Sequence, residues 1–294
     1  MNRSSRLAVL TVWILACAAS ASAETKLLCK RQSQYNTILV TEGPPGVRTL
    51  RFEEGGARQS VVKVGDPGHL ELPYARTILA GLAFCQRPQR VLIVGLGGGT
   101  IPMFLRKHYP DLVIDAVEID PEVVNVAKQY FGFHEDPRMR AYVADGRRFI
   151  EECRQPYDII FLDAFGCDSV PYHLATEEFL QSVRRAITAD GIVVGNIWSR
   201  GSNRLHDSMV RTYQEVFDEL YILGIRLAGN EILIAPARKR RVEKDDLVRL
   251  AAMLAQEKGF PFDLGELVGY GFEYSEEKMG DGRVLKDDAK EPLP

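Results

Sequence analysis

The sequence predicts an α/β protein whose main body is a Rossmann-like, doubly wound, mostly parallel sheet, preceded by a small antiparallel β-sheet. Three observations carry this. Val91 to Val94 is an apolar run too short for a helix and closed by glycine, as expected of a strand buried on both faces. Gly95, Gly97 and Gly99 follow at once. Their missing Cβ atoms permit a sharp turn and let a ligand lie against bare backbone, where the next helix aims its free N–H groups. A second strand, Leu112 to Ile119, then brings Glu118 to its carboxyl end. Nucleoside-binding folds put there the acid that accepts from the ribose hydroxyls.

The chain has 294 residues, 46% hydrophobic and 26% charged, which suits one substantial domain with a small attachment. Residues 24–72 hold short alternating runs, Asn36 to Thr41, Arg48 to Phe52 and Ser60 to Val64. Gly43-Pro44-Pro45-Gly46 and Gly55-Gly56 separate them, so the segment reads as an antiparallel sheet ending at the linker Asp66-Pro67-Gly68. Residues 73–270 form the main domain. Pro73 opens a helix expected to reach about Cys85, because proline is tolerated in a first turn.

From Val91 strands and helices alternate, which implies parallel strands with crossover helices. Met139 to Ala144, Tyr157 to Leu162 and Gly191 to Trp198 are the next strands. A helix from about Ser202 to Glu219, strands Tyr221 to Ile225 and Glu231 to Ala235, and a helix from about Lys244 to Lys258 complete the domain. The tail, 271–294, is polar and rich in charge and glycine, and is expected to be disordered.

At the amino terminus Arg3 and Arg6 precede an uncharged stretch, Leu7 to Cys17, and then small residues to Ala23. That order is a secretory signal, residues 1–23, and places the mature chain outside the cytoplasm, in the periplasm, with no stable membrane span after cleavage. Lipid anchoring at Cys17 is the weaker reading, since Leu15 is bulky where small residues are expected. Cys29, Cys85, Cys153 and Cys167 remain, enough for two disulfides, with no metal-ligand spacing among them. A net charge of −3 gives no electrostatic footprint for nucleic acid. The basic run Arg238 to Arg241 is followed by Glu243, Asp245 and Asp246 and reads as a solvated helix start.

Ligands in an open parallel sheet bind beyond the carboxyl ends of the strands, where strand order reverses. Here consecutive strands end at Gly95, Glu118, Asp145 and Asp163, which converge on one crevice. Any one acid of this kind is as readily a helix cap; their joint placement points to a site. Glu118 would hold a ribose, Asp145 would accept from an adenine amino group with Gly146 giving close approach, and Asp163 would face the reacting end. A carboxylate there can take the proton that an ammonium of pKa about 10.4 must lose before it attacks carbon. Asp168 would add negative charge for a cationic acceptor, with loop capping as the plainer reading. His69 and His173 form no triad or metal pair and read as loop residues. Tyr74 and Trp198 read as packing residues before substrate platforms.

These residues give the chain a family likeness: it resembles the spermidine and spermine synthases, aminopropyltransferases on the fold of class I S-adenosylmethionine methyltransferases. The likeness runs from about Lys30 to Ala235. It includes Ser33-Gln34-Tyr35-Asn36, Gly56-Ala57-Arg58-Gln59, the Val91 to Thr100 glycine turn, Val117 to Asp120, Asp145-Gly146 and the loop after Asp163. The resemblance implies decarboxylated S-adenosylmethionine, or S-adenosylmethionine, as cosubstrate without a metal. It implies Glu118 on ribose, Asp145 at adenine and Asp163 at the attacking amine, and leaves Tyr74, Gln59 and Asp168 as candidate substrate-binding residues. The partner implied is a small amine or polyamine; the sequence leaves a homodimer open.

Two positions depart from the family pattern. The aspartate of the G-G-G-D-G turn is replaced by Gly98, and Tyr74-Ala75-Arg76 stands where Tyr-His-Glu or Tyr-Gln-Glu is usual. Arg76 in place of a carboxylate is unfavourable for a dicationic acceptor. A methyltransferase on the same scaffold and a non-catalytic exported binder of nucleosides or polyamines remain the alternative functions.

Overall fold

The computed structural model describes residues 25–85, 87–166 and 169–288. The expected signal segment and Cys17 lie outside these residues, as do Cys167 and Asp168. Four strands form the amino-terminal sheet in sequential antiparallel order: β1 (Lys26–Gln32), β2 (Thr37–Gly43), β3 (Val47–Arg51) and β4 (Ser60–Lys63). Ile38 and Val40 of β2, Leu50 of β3 and Val61 and Val62 of β4 turn apolar side chains inward and join one continuous core with the main domain.

The main sheet has eight strands. Five run parallel: β5 (Arg90–Val94), β6 (Val113–Glu118), β7 (Met139–Val143), β8 (Tyr157–Leu162) and β9 (Ile187–Trp198). Three antiparallel strands extend it: β10 (Tyr221–Gly224), β11 (Asn230–Pro236) and β12 (Phe272–Tyr274). The spatial order is β12-β10-β11-β9-β8-β5-β6-β7, so the chain leaves β5 toward β6 and returns to its other side as β8. That reversal is the switch point at which an open sheet leaves a crevice beyond its strand ends. Val91, Ile93 and Ile159 pack on one face of the sheet and Leu92, Val94 and Ile160 on the other, which is why these strands read as unbroken apolar runs.

Crossover helices α2 (Thr100–His108), α3 (Pro121–Tyr130), α4 (Gly146–Glu151) and α5 (Glu177–Ala186) link the parallel strands. The starts of α3, α4 and α5 are set by side chains that accept from free backbone N–H groups: Asp120 from Glu122, Asp145 from Arg148 and Thr176 from Phe179. Farther on lie α6 (His206–Val216), α7 (Lys244–Lys258) and α8 (Leu264–Gly271).

Three expectations are corrected. The helix from Pro73, α1 (Pro73–Thr77), is short and tightens into a 3-10 segment over Ile78–Ala83. All six residues of that segment are buried. A Cβ on Gly81 would stand 2.3 Å from Val194, so backbone packs directly on β9 there. The helix expected from Ser202 starts at His206, after Asn203 Oδ1 accepts from the Leu205 N–H at 2.9 Å and turns the chain. The part of the tail that is described, residues 271–288, is packed on the domain: β12 pairs with β10, and Leu285 is fully buried. Composition missed this because one apolar anchor and a three-residue strand vanish in a polar average.

Among the described residues Cys29, Cys85 and Cys153 are free thiols, and no disulfide joins any two of them. Among the described residues no helix is long and apolar enough to cross a membrane, and no group of three or more metal-binding side chains occurs.

Candidate active site

A cavity opens over the ends of β5, β6 and β8. Gly95, Gly97, Glu118, Asp145, Gly146 and Asp163 all line it, together with Tyr74 and Gln59 from the amino-terminal side. Sequence-distant candidates are therefore brought together by the switch point. Gly99 is not among the lining residues. Its φ of +74° starts α2, and a Cβ there would meet the Phe133 ring at 2.7 Å. Gly95 faces the cavity, yet its lack of a Cβ first serves the protein itself, because the Asp163 carbonyl oxygen would lie 2.3 Å from one. Gly146 likewise lets α4 close on Val94.

Glu118 is fixed by backbone donors. The Leu96 N–H donates to Oε2 at 3.0 Å and the Asp120 N–H to Oε1 at 3.1 Å. Burial pushes its carboxyl up; the N–H groups of Leu96, Asp120 and Gly97 pull it down, and the Asp120 carboxylate adds to the rise. The acid is thus aimed, with lone pairs left for a ligand. Asp145 caps α4 through the Arg148 N–H at 2.9 Å and meets His173 Nε2 at 3.0 Å. Burial would raise its carboxyl, but the Arg148 N–H and His173 outweigh it and hold it below the usual carboxylate range. His173 is thus no free loop residue, since it ties the loop after β8 to the helix that floors the cavity.

Asp163 ends β8 at the far side of the same space. Burial raises its carboxyl to about 7, against the pull of hydrogen bonds from Asn196 and Tyr74. Asn196 Nδ2 donates to Asp163 Oδ1 at 2.8 Å, and Asn230 Nδ2 donates to Asn196 Oδ1 at 3.1 Å. The Tyr74 hydroxyl stands 3.1 Å from the Gln59 carbonyl and also reaches Asp163. It has one proton to give, so it donates to one acceptor at a time. A carboxylate of this kind sits near neutrality, charged or protonated at small cost, as proton transfer requires.

Asn196 escaped the sequence reading, though a lone amide in Gly-Ile-Val-Val-Gly-Asn-Ile-Trp was a legible signal. The two departures also look different in three dimensions. A Cβ on Gly98 would lie 2.8 Å from the Phe131 ring and 3.0 Å from the Ser60 Cβ, so the place of the family aspartate is filled. Ser60 Oγ instead accepts from the Gly98 N–H at 2.8 Å. Arg76 lines no part of the cavity. It donates to the Leu70 and Glu71 carbonyls and lies over the Phe262 ring, so the expected repulsion of a dication by Arg76 is withdrawn. His69 pairs with Glu71 at 3.0 Å, outside the cavity.

A Rossmann-like sheet with two carboxylates, Glu118 and Asp163, facing one cavity at its switch point has the arrangement of an α/β nucleoside-binding site. Comparison with known proteins narrows the class. The spermine/spermidine synthase domain model matches residues 71–222. The chain is 36% identical over 219 residues to the polyamine aminopropyltransferase of Vibrio vulnificus, covering 72% of each chain. Human methyltransferase-like protein 13, solved in complex with SAH, is 32% identical at a TM-score of 0.58, over 65% of this chain and 94% of that one. A spermidine synthase solved with the transition-state analogue AdoDATO shares the fold at 20% identity and a TM-score of 0.62, over 79% of this chain and 88% of that one. The chain belongs to the spermine/spermidine synthase family.

Proposed function

We propose that this protein transfers an aminopropyl group from decarboxylated S-adenosylmethionine to an amine. The observation that carries the reading is Asp163, a carboxylate near neutrality facing the same cavity as Glu118. The cavity fits an adenosyl sulfonium: Glu118 presents lone pairs for ribose, Asp145 and Gly146 lie where adenine would rest, and Gly97 leaves backbone bare. The sulfonium supplies an activated carbon and a good leaving group. Asp163 orients the acceptor nitrogen and takes its proton. The nitrogen lone pair then bonds the carbon, and the C–S electrons pass to sulfur, giving methylthioadenosine, a substituted amine and one proton. Holding the reactants in line supplies much of the rate.

The aminopropyltransferase relative supports this reading. A polyamine is the first acceptor it suggests. Mass spectrometry of turnover with an amine panel tests it: Asp163→Asn should abolish transfer while nucleoside affinity stays within a few fold. Full activity of that variant would remove Asp163 from the mechanism.

A second reading, methyl transfer from S-adenosylmethionine, is favoured by the filled space at Gly98 and by likeness to the human methyltransferase. Calorimetry separates the two, since the first requires preference for the decarboxylated compound. We also propose that the chain is exported, from its first 23 residues; the mass of the mature amino terminus tests this.

A further inference from the structure

A second, more open chamber adjoins the cavity and shares Gln59, Tyr74 and Phe165 with it. Pro73 and Trp198 give it apolar walls, and the Trp198 ring meets Phe165 edge-on at 5.6 Å. Asn196 and Asn230, the pair that fixes Asp163, reach its inner end. Asp163 itself lines the neighbouring cavity, so the chamber opens toward that carboxylate through this pair and the shared Tyr74. Its charge is unexpected. Among the described lining residues the single charged side chain is Arg58, exposed at the rim and without a hydrogen-bond or ion-pair partner among the described residues.

We infer that the acceptor is a primary amine that carries an anionic group, carboxylate or phosphate, in place of the second ammonium of a diamine. The inference rests on the alkyl-transfer reading above. The amine end enters toward Asp163, as a cation should, and its carbon chain lies along Trp198 and Pro73. The anionic end remains at the mouth beside the unpartnered Arg58, whose planar fork suits carboxylate or phosphate. A second ammonium would instead meet a like charge there. The bond changes stay those of the transfer: nitrogen gains the carbon, sulfur keeps the C–S pair, and one proton leaves through Asp163.

The test uses the full-length protein with decarboxylated S-adenosylmethionine and three acceptors that differ at one end: 4-aminobutyrate, butylamine and putrescine. Methylthioadenosine release should give kcat/KM in that order, with at least tenfold between the extremes and a smaller spread at high salt, because an exposed charge is screened. Arg58→Glu should reverse the order and Arg58→Gln should flatten it. Preference of the wild type for putrescine, or an order unmoved by Arg58→Glu, overturns the inference. A putrescine preference lost in Asp168→Asn overturns it too and assigns the counter-charge to Asp168. Release with none of the three, nor with any amine of the panel above, defeats the aminopropyl-transfer reading itself. The chamber is then judged by calorimetry on protein saturated with methylthioadenosine, where tighter binding of 4-aminobutyrate than of putrescine supports the inference and equal or reversed binding overturns it.

Discussion

Asn196 Nδ2 donates to Asp163 Oδ1 at 2.8 Å, and Asn230 holds the other end of the Asn196 amide at 3.1 Å. The amide lies on β9, the neighbour of β8, so strand pairing itself fixes the donor beside the acid. An amide fixed in that way favours the ionised acid and orients it, which burial alone would not do.

As the proposed proton acceptor Asp163 works only when ionised, and burial raises its carboxyl to about 7, so kcat/KM should rise as pH climbs through that value. Asn196→Ala removes a donor that lowers the carboxyl, so this limb should move to higher pH and the rate at pH 7 should fall about tenfold or more. The pH profile is the measurement. A variant that lost stability while its limb stayed in place would mark Asn196 as structural only.

The same shift has a cost in stability. Asp163 binds its proton more tightly folded than unfolded, so its contribution is fully present below about pH 4 and is lost as pH rises through about 7. Asp163→Asn abolishes that titration. Its melting temperature should exceed the wild type by several degrees at pH 8 and converge with it near pH 4, as scanning calorimetry would read. A gap of equal size at both pH values contradicts the sign.

Restoring the family acid should fail. Gly98→Asp puts a Cβ 2.8 Å from Phe131 and 3.0 Å from Ser60, and overpacking of this kind costs about 1–3 kcal/mol. Denaturant melts should show the loss, and Phe131→Ala in the same chain should recover part of it. A Gly98→Asp protein as stable as wild type would mean that the turn has room.

Glu118→Gln keeps shape and removes charge. Both oxygens accept from backbone N–H groups, so an amide NH2 must face one donor and leave it unpaired, at about 1–3 kcal/mol. Affinity for methylthioadenosine should fall roughly tenfold to a hundredfold by calorimetry. Unchanged affinity would move the ribose elsewhere.

Much of this site was legible in the sequence because its parts end consecutive strands: Gly95, Glu118, Asp145 and Asp163 are found by following apolar runs to their last residue. Gly99 misled because glycine spacing says a Cβ is excluded without saying what excludes it, here the Phe133 ring rather than a ligand. The acceptor chamber was not legible. Arg58, Pro73, Trp198 and Asn230 lie on segments far apart in the chain, and only the folded sheet makes them neighbours. Arg76 misled for a related reason: position in a motif does not give the direction of a side chain, and this one points to the Leu70 carbonyl.

The carboxyl-terminal segment should act on the site from behind. Leu285 is buried between α5 and α6, its carbonyl accepting from the Glu177 N–H at 2.8 Å and its N–H donating to Thr212 Oγ1 at 3.0 Å. Tyr172 donates to the Lys286 carbonyl at 3.2 Å, and Arg147 grips Asp287 through two bonds of 2.7 and 2.6 Å while also meeting the His173 carbonyl at 3.3 Å. Pro171, His173 and Leu174 line the cavity, so the segment holds one of its walls. Truncation after Glu277 or Leu285→Ala should speed hydrogen exchange at the amides of Ser169 to Leu174 and weaken nucleoside binding several fold, with the β5 to β6 core still protected. Leu285→Ala alone should cost about 2–5 kcal/mol, the usual range for a buried leucine, so Arg147→Ala, whose guanidinium is not in the core, supplies the milder variant. If none of the three variants alters exchange in that wall, the segment is packing and nothing more.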